Sequence, residues 1–478
     1  MLDLWTGALM ALQGKFDVVF IGGGGASYPG AFELAKRGMR VLLVDDRGLL
    51  GGVCTYAGCV PSKALRRWGL AIRDAEVRAS VKVDPDEVWR KAIEAKDKVQ
   101  SEVFKQLGWL AEQLHDNLEL VRGWAVVRDG RAVSVKTEDG ERTVETRFIH
   151  IGAGSVNVIP GIPGKELAMT SDNLYGYLST PRQLPGSIAI VGAGYVGVET
   201  AYVLSMYKVK VTLVEMMSRP LPNMPLDVSR SVLRGLQRMG VEIHLGVKAS
   251  SIDRRGGAKV LRVIKDDGTA LEVEADEVML AVGRRPRLEG YGLESLASSG
   301  LEYTKEGVKV NEYMRTSVPN VYAAGDVTGG AMLYHAAVLG SLVASRNIAA
   351  GQDVHRFDLH LIPRVVFTYP EAGYLGYTED ELSRMGIRYG VVRYSMKANS
   401  SSLIEGHADS WVKVLVERGT GSVLGVEAYA PEAPSILTAF AISMRGGLRA
   451  EDLYWTAAPH PTPMEVVGEA FRLSELLS

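Results

Sequence analysis

An α/β fold with two separate βαβ units is what this sequence of 478 residues predicts, and three observations carry the prediction. The runs FDVVFIGGGGASYPGAFELAKRGMRVLLVDD and SIAIVGAGYVGVETAYVLSMYKVKVTLVE each read as a buried strand, a glycine turn, an apolar helix and a second strand. Each ends on a carboxylate, Asp45 or Glu215, 23 residues beyond the first glycine of its turn. The length exceeds what one hydrophobic core serves, so about two to four domains are expected.

In the first unit the strand covers Val18 to Ile21, the helix carries Phe32, Leu34 and Ala35, and the second strand runs from Val41 to Val44. Gly22 lets the chain turn tightly, Gly24 lets the backbone approach a pyrophosphate, and the helix N-terminus directs amides and a positive dipole end at that anion. Asp45 is placed to accept hydrogen bonds from ribose hydroxyls. The third position of the glycine pattern holds Ser27, with Pro29 in the first helical turn, so a slight helix displacement with retained binding is expected. The second unit is complete, with Gly192, Gly194 and Gly197 in G-x-G-x-x-G. Two such units imply two dinucleotides. Glu215 repels a 2′-phosphate and so favours NAD(H) over NADP(H), a preference that Arg219 nearby weakens.

Between the units, GGVCTYAGCVPSK (Gly51 to Lys63) holds both cysteines of the chain, Cys54 and Cys59. Structural bracing is a poor explanation, since closing so small a ring stabilises by only about 2 kcal/mol in the chain-entropy model. A structural zinc site wants four ligands, and the nearest histidine in sequence, His115, stands alone. That leaves redox or nucleophilic chemistry. The 54 Lys and Arg against 56 Asp and Glu, with no long run of one sign, point away from nucleic acid. No apolar run has the length of a membrane span, and the opening MLDLWTGALMALQGKF lacks the basic start of a signal peptide, so a soluble cytoplasmic protein is expected. The first fifteen residues have no role that the sequence discloses.

Two dinucleotide units plus a redox-type cysteine pair resemble the FAD-dependent pyridine nucleotide disulfide oxidoreductases, from about Phe16 to the C-terminus. Further motifs agree in order: AVGRRP (Ala281 to Pro286), SVPNVYAAGDVTGG (Ser317 to Gly330), VVFTYPEAGYLGYTEDEL (Val365 to Leu382) and APHPTPMEVVGEA (Ala458 to Ala470). The resemblance implies two Rossmann-like domains, for FAD and NAD, and a C-terminal α+β dimerisation domain. The expected boundaries are 1–157 and 287–357 for a split FAD domain, 158–286 for the NAD domain and 358–478 for the interface domain. It implies a homodimer, with Cys54 exchanging with a substrate disulfide, Cys59 facing the flavin as a thiolate, and His460, oriented by Glu465, as the base in the partner subunit's site. It also assigns Gly52, Lys63, Gly154, Ser155, Asp326, Met332, Leu333, His335 and Gly283 to cofactor binding, Glu199 to a pairing with Lys63, and Tyr195 to the nicotinamide pocket.

Within that family, Ser62 stands where glutathione-type reductases usually carry lysine, the C-terminus lacks the cysteine pair of mercuric reductases, and GGAMLYHAAVLG resembles the dihydrolipoamide dehydrogenase segment. The implied substrate is a small dithiol or disulfide, dihydrolipoamide first, free or as a lipoyl group on a carrier domain. Another NAD(P)H-dependent disulfide reductase and a mercuric-reductase-like enzyme are the alternatives. A third, of another class, is a docking component of a multienzyme complex, or a flavoprotein without disulfide turnover. Two departures from the family pattern stand out: Tyr56, where asparagine is usual, and Gly152, where threonine is usual.

Overall fold

The computed structural model describes residues 14–472; most of the N-terminal stretch without a role lies outside it. Its first sheet is built around β1 (Lys15–Ile21), flanked in parallel by β2 (Val41–Asp45) and then β3 (Leu118–Arg122) on one side. On the other side β6 (Gly140–Ile151) is parallel, and the hairpin of β4 (Trp124–Asp129) and β5 (Ala132–Thr137) joins it antiparallel. The strand Val321–Ala323 also pairs in parallel with the end of β6, so this sheet is completed by a segment that arrives after the whole second unit. Covered on both faces, β1 and β2 are apolar throughout their centres, as parallel strands must be.

Three helices shape what lies beyond β2. The first, α1 (Tyr28–Lys36), packs on the sheet. The short α2 (Gly52–Ala57) is followed, across Gly58, by α3 (Cys59–Ala79). The 28-residue α4 (Pro85–Glu112) begins at an Asp84 cap that accepts from the Asp86 N–H, with proline in its first turn, and runs back along α3.

The second unit holds a four-stranded parallel sheet of Ser187–Val191, Lys210–Glu215, Glu242–Leu245 and Glu277–Leu280, with an antiparallel meander of three strands between Val247 and Ala275. A two-stranded ribbon of Ser155–Asn157 and Arg284–Pro286 joins the entry and exit connections. The C-terminal part is a five-stranded antiparallel sheet backed by the helices Ala433–Arg445 and Val466–Arg472.

One apolar core crosses these boundaries. Leu65, Ile72 and Trp89 of α3 and α4 pack with Tyr202 and Tyr207 of the second unit and with Trp411 and Tyr429 of the C-terminal sheet. Trp89 meets Tyr207 edge to face at 5.0 Å, Tyr207 Oη donates to the Leu65 carbonyl of α3 at 2.8 Å, and Arg66 of α3 holds the Phe367 and Thr368 carbonyls, so the cysteine-bearing helix is fastened to both other parts. Among the described residues, no helix is long and apolar enough to cross a membrane.

Candidate active site

The two glycine turns repeat each other at atomic detail. Gly22 and Gly192 have left-handed φ of +95° and +103°, and a Cβ on them would lie 2.6 Å from the Gly152 oxygen and 2.4 Å from the Ala281 oxygen. Gly24 and Gly194 face open space, with nothing closer to an added Cβ than the Gly52 Cα at 3.6 Å for the former and nothing within 4 Å for the latter. Such a bare concave backbone fits a pyrophosphate. Asp45 Oδ2 accepts the Gly23 N–H at 2.7 Å, and Glu215 Oε2 accepts the Ala193 N–H at 2.6 Å. Their other oxygens accept from Arg47 and Met217 N–H groups, so both carboxylates are aimed before any ribose arrives. Burial pushes the Asp45 carboxyl up. Arg219 spends its guanidinium on the carbonyls of Met224 and Pro222.

The third position of the pattern differs between the units, and the structure explains how. A Cβ on Gly197 would lie 1.8 Å from the Gly192 oxygen, so only glycine permits that helix to approach. Ser27 is fully buried at the matching place, and a Cβ on Gly152 would fall 2.0 Å from its Oγ. The serine side chain therefore occupies the room that Gly152 leaves, and the two departures are one exchange. Neither Ser27 nor Gly197 lines the cavity. At both positions the structure shows helix packing: the Ser27 side chain fills the room beside Gly152, and Gly197 sits against the Gly192 carbonyl.

That cavity, of about 1630 Å³, runs from the first turn past both cysteines to the second. Cys59 is the first residue of α3 and is exposed to it; Cys54, on α2, is half buried. Both thiols are free. A hydrogen bond from Cys54 pulls the Cys59 thiol down, and the Lys63 cation adds to it; the same bond, with burial, pushes Cys54 up. The start of a 21-residue helix adds its positive dipole end beneath Cys59. Lys63 is ion-paired with Glu199, whose other oxygen accepts the Phe367 N–H at 3.0 Å. Tyr56 stands between the cysteines with its ring against the Arg47 guanidinium, 4.4 Å from the ring centre.

Other predicted residues meet the same cavity. Ser155 Oγ donates to Asp326 Oδ2 at 2.5 Å, while Arg284 Nε donates to that hydroxyl at 2.8 Å and also holds the Ser155 carbonyl and Asn157. Gly154 and Gly283 lie beside them in left-handed conformation with no neighbour within 4 Å of an added Cβ. Met332 sits at φ +48°, which turns the chain into the helix Tyr334–Ala350; Leu333 precedes its first turn and His335 contacts the Pro363 carbonyl at 2.8 Å. Tyr195 opens the helix after the second turn and reaches the Met224 sulfur. Arg284, quoted within AVGRRP but given no role there, is a residue that sequence reasoning missed; its place follows from the strand pairing between the two connections, for which the sequence carries no local signal.

His460 and Glu465 find each other but not the cysteines. His460 Nδ1 and Glu465 Oε1 are 2.8 Å apart, and neither residue lines the cavity. Against burial, which raises it, hydrogen bonds from His460 and the Thr462 N–H hold the Glu465 carboxyl below its usual range. The imidazole is mostly exposed, at 66% of its side-chain surface.

The model of the pyridine nucleotide-disulphide oxidoreductase family matches residues 16–340, and that of its dimerisation domain matches residues 362–471. The chain belongs to this family. Its cofactors are FAD and NAD(H), and the C-terminal sheet is the family's dimerisation domain, so the chain is built to form a homodimer. Dihydrolipoyl dehydrogenase 3 of Pseudomonas putida is 31% identical over 463 residues, spanning 95% of this chain and 97% of that protein. Leghemoglobin reductase of Vigna unguiculata is 33% identical over 462 residues, spanning 95% and 86%. Among solved structures, LpdA from Mycobacterium tuberculosis superposes with a TM-score of 0.85 at 22% identity over 96% of this chain and 99% of that one. The flavoprotein disulfide reductase RclA from Escherichia coli gives 0.80 at 24% over 96% and 100%. At those identities the structural matches speak for the fold.

Proposed function

We propose that this oxidoreductase is an NAD-dependent dihydrolipoamide dehydrogenase, with the residues above in the roles their geometry supports. The observation that carries this reading is the cysteine pair, with Cys59 opening α3 beside the Lys63–Glu199 ion pair, in one cavity with both dinucleotide turns. When bound, FAD supplies two-electron exchange with nicotinamide on one side and with the cysteine pair on the other. In the chain's oxidised form, a substrate thiolate attacks the Cys54 sulfur and displaces Cys59 as thiolate, the sulfur that the Lys63 cation and the helix start stabilise. The second substrate thiolate then attacks its partner sulfur and releases Cys54. His460 of the partner subunit takes the substrate's proton, and the partner's Glu465 stabilises the imidazolium.

The curated relatives named dihydrolipoyl dehydrogenase, at 30–33% identity across nearly the whole chain, support this choice of substrate. A lipoyl group on a carrier domain is the larger form of the same substrate. The division at residues 157, 286 and 357 belongs to the same proposal, supported by the ribbon that joins the two connections. One observation favours a second reading, a disulfide reductase for another acceptor: Tyr56, held on Arg47 between the cysteines, presents an aromatic wall.

The test is NAD reduction by dihydrolipoamide with the flavin-loaded protein, repeated with NADP and with Cys59→Ser. Turnover with NAD that the variant loses, by about a thousandfold or more as for a nucleophile in covalent catalysis, supports the assignment. Flavin reduction by NADH without any dihydrolipoamide activity moves the assignment to the second reading.

A further inference from the structure

Outside the cavity, a fully buried polar pair on α4 reaches the backbone between the two cysteines. With only six residues, α2 leaves its last carbonyls without partners in their own helix. Gln100, fully buried, donates through Nε2 to the Thr55 and Tyr56 carbonyls, both at 2.8 Å, and these are the two residues that follow Cys54. Tyr56 O accepts a further bond from the Tyr177 N–H at 2.9 Å. Gln100 Oε1 accepts from Lys96 Nζ at 3.0 Å, which settles the direction in which the amide faces. Lys96 is also fully buried, and its remaining contacts are the Gly176 carbonyl at 3.0 Å and Asp97 Oδ1 at 2.6 Å. Three ammonium hydrogens thus meet three acceptors, and both amide hydrogens meet carbonyls.

A buried ammonium is costly, and an apolar side chain of similar length is a common and often more stable alternative. Burial accordingly pushes the Lys96 pKa down, against its bond to Asp97. The cluster is saturated by hydrogen bonds that end on the redox loop and on the segment at Gly176 and Tyr177, which leads into the second unit. Two of its contacts, from Lys96 to Gln100 and to Asp97, stay within α4, and the other three leave it for the carbonyls of Thr55, Tyr56 and Gly176.

We propose that Lys96 and Gln100 are positioning residues for the cysteine pair: they clamp the carbonyls of Thr55 and Tyr56 so that Cys54 and Cys59 open and close on a fixed backbone. This rests on the reading of that pair as the redox centre. A disulfide tolerates only a narrow range of Cβ separations, so a loop that relaxed on reduction would have to be reordered at every turnover.

Gln100→Leu removes the donors, Gln100→Glu keeps the shape and the Lys96 contact but turns acceptors toward the carbonyls, and Lys96→Met removes the orienting bond. In flavin-loaded enzyme each is expected to leave flavin reduction by NADH within about twofold of wild type. Disulfide-linked turnover should fall about tenfold or more, and the equilibrium of the pair with glutathione buffers should shift about fivefold or more, the effect of an ångström-scale misplacement. Variants that hold flavin and stay within twofold on both readings overturn the clamp. Hydrogen exchange of the wild-type amides from Tyr56 to Val60 decides the matter without any variant: the clamp requires equal protection in the oxidised and reduced enzyme, and protection lost on reduction overturns it. Cys59→Ser run beside these separates the two layers, since disulfide turnover without Cys59 would sink the redox assignment itself.

Discussion

Ser27 and Gly152 are far apart in sequence and share one packing volume. Gly152→Thr places a Cβ where the Ser27 Oγ lies, 2.0 Å away, and overpacking of this kind costs about 1–3 kcal/mol. Ser27→Gly empties the space, so the double variant should recover most of that loss. A double-mutant cycle on denaturant midpoints measures it, and a coupling energy near zero would show that the two departures are independent. His150 makes a second prediction. Fully buried, it lies with Nε2 2.6 Å from the Ala26 carbonyl, which can only accept, so Nε2 carries the proton and Nδ1 is buried without a hydrogen-bond partner. Burial holds its pKa down to about 4, against 6.5 for a free imidazole. The unfolded chain takes up that proton near pH 6.5 and the folded one resists until about pH 4. The stability is therefore intact above 6.5 and lost as pH falls toward 4, by about 3 kcal/mol from this group. His150→Gln keeps a donor for the carbonyl without titrating in that window, so its urea midpoints should decline less between pH 6.5 and 4.5 than those of wild type. An unchanged decline would place the acid sensitivity elsewhere.

At the scale of elements, the two βαβ units were legible because everything that makes them is local. Strand, turn and helix are encoded within one short run, and the positive φ at Gly22 and Gly192 is a demand of the turn itself. The same locality makes Gly197 testable: Gly197→Ala drives a methyl group into the Gly192 carbonyl, a backbone atom that cannot swing aside. Flavin reduction by NADH should slow by about tenfold or more while the flavin content stays normal, since the first turn is untouched; equal rates would mean the second turn gives way freely. Long-range arrangements were not legible. The accommodation of Ser27 depends on a residue at the far end of β6, and the role of α4 depends on two side chains, Lys96 and Gln100, that look like any surface pair in an amphipathic helix. Arg284 likewise takes its meaning from the pairing of two connections that no local pattern announces.

For the whole molecule, the separation of the His460–Glu465 pair from the cavity is the instructive fact. Within one chain the proposed base and the thiols do not meet, and a dimerisation domain offers the way to join them. Mixing Cys59→Ser protomers with His460→Gln protomers should then restore activity that neither has alone, to about a quarter of wild type if dimers form at random. Inactive mixtures with proven subunit exchange would place the whole site within one chain.

The first sheet also carries a consequence for synthesis. Its strand Val321–Ala323 pairs with the end of β6, yet the entire second unit is translated between them. At ordinary elongation rates the ribosome holds that sheet open for roughly ten to thirty seconds. During that interval β6 offers an unpaired, largely apolar edge at Ile149 and Ile151. Until Val321–Ala323 is made, the first sheet therefore stands with its β6 edge open at Ile149 and Ile151.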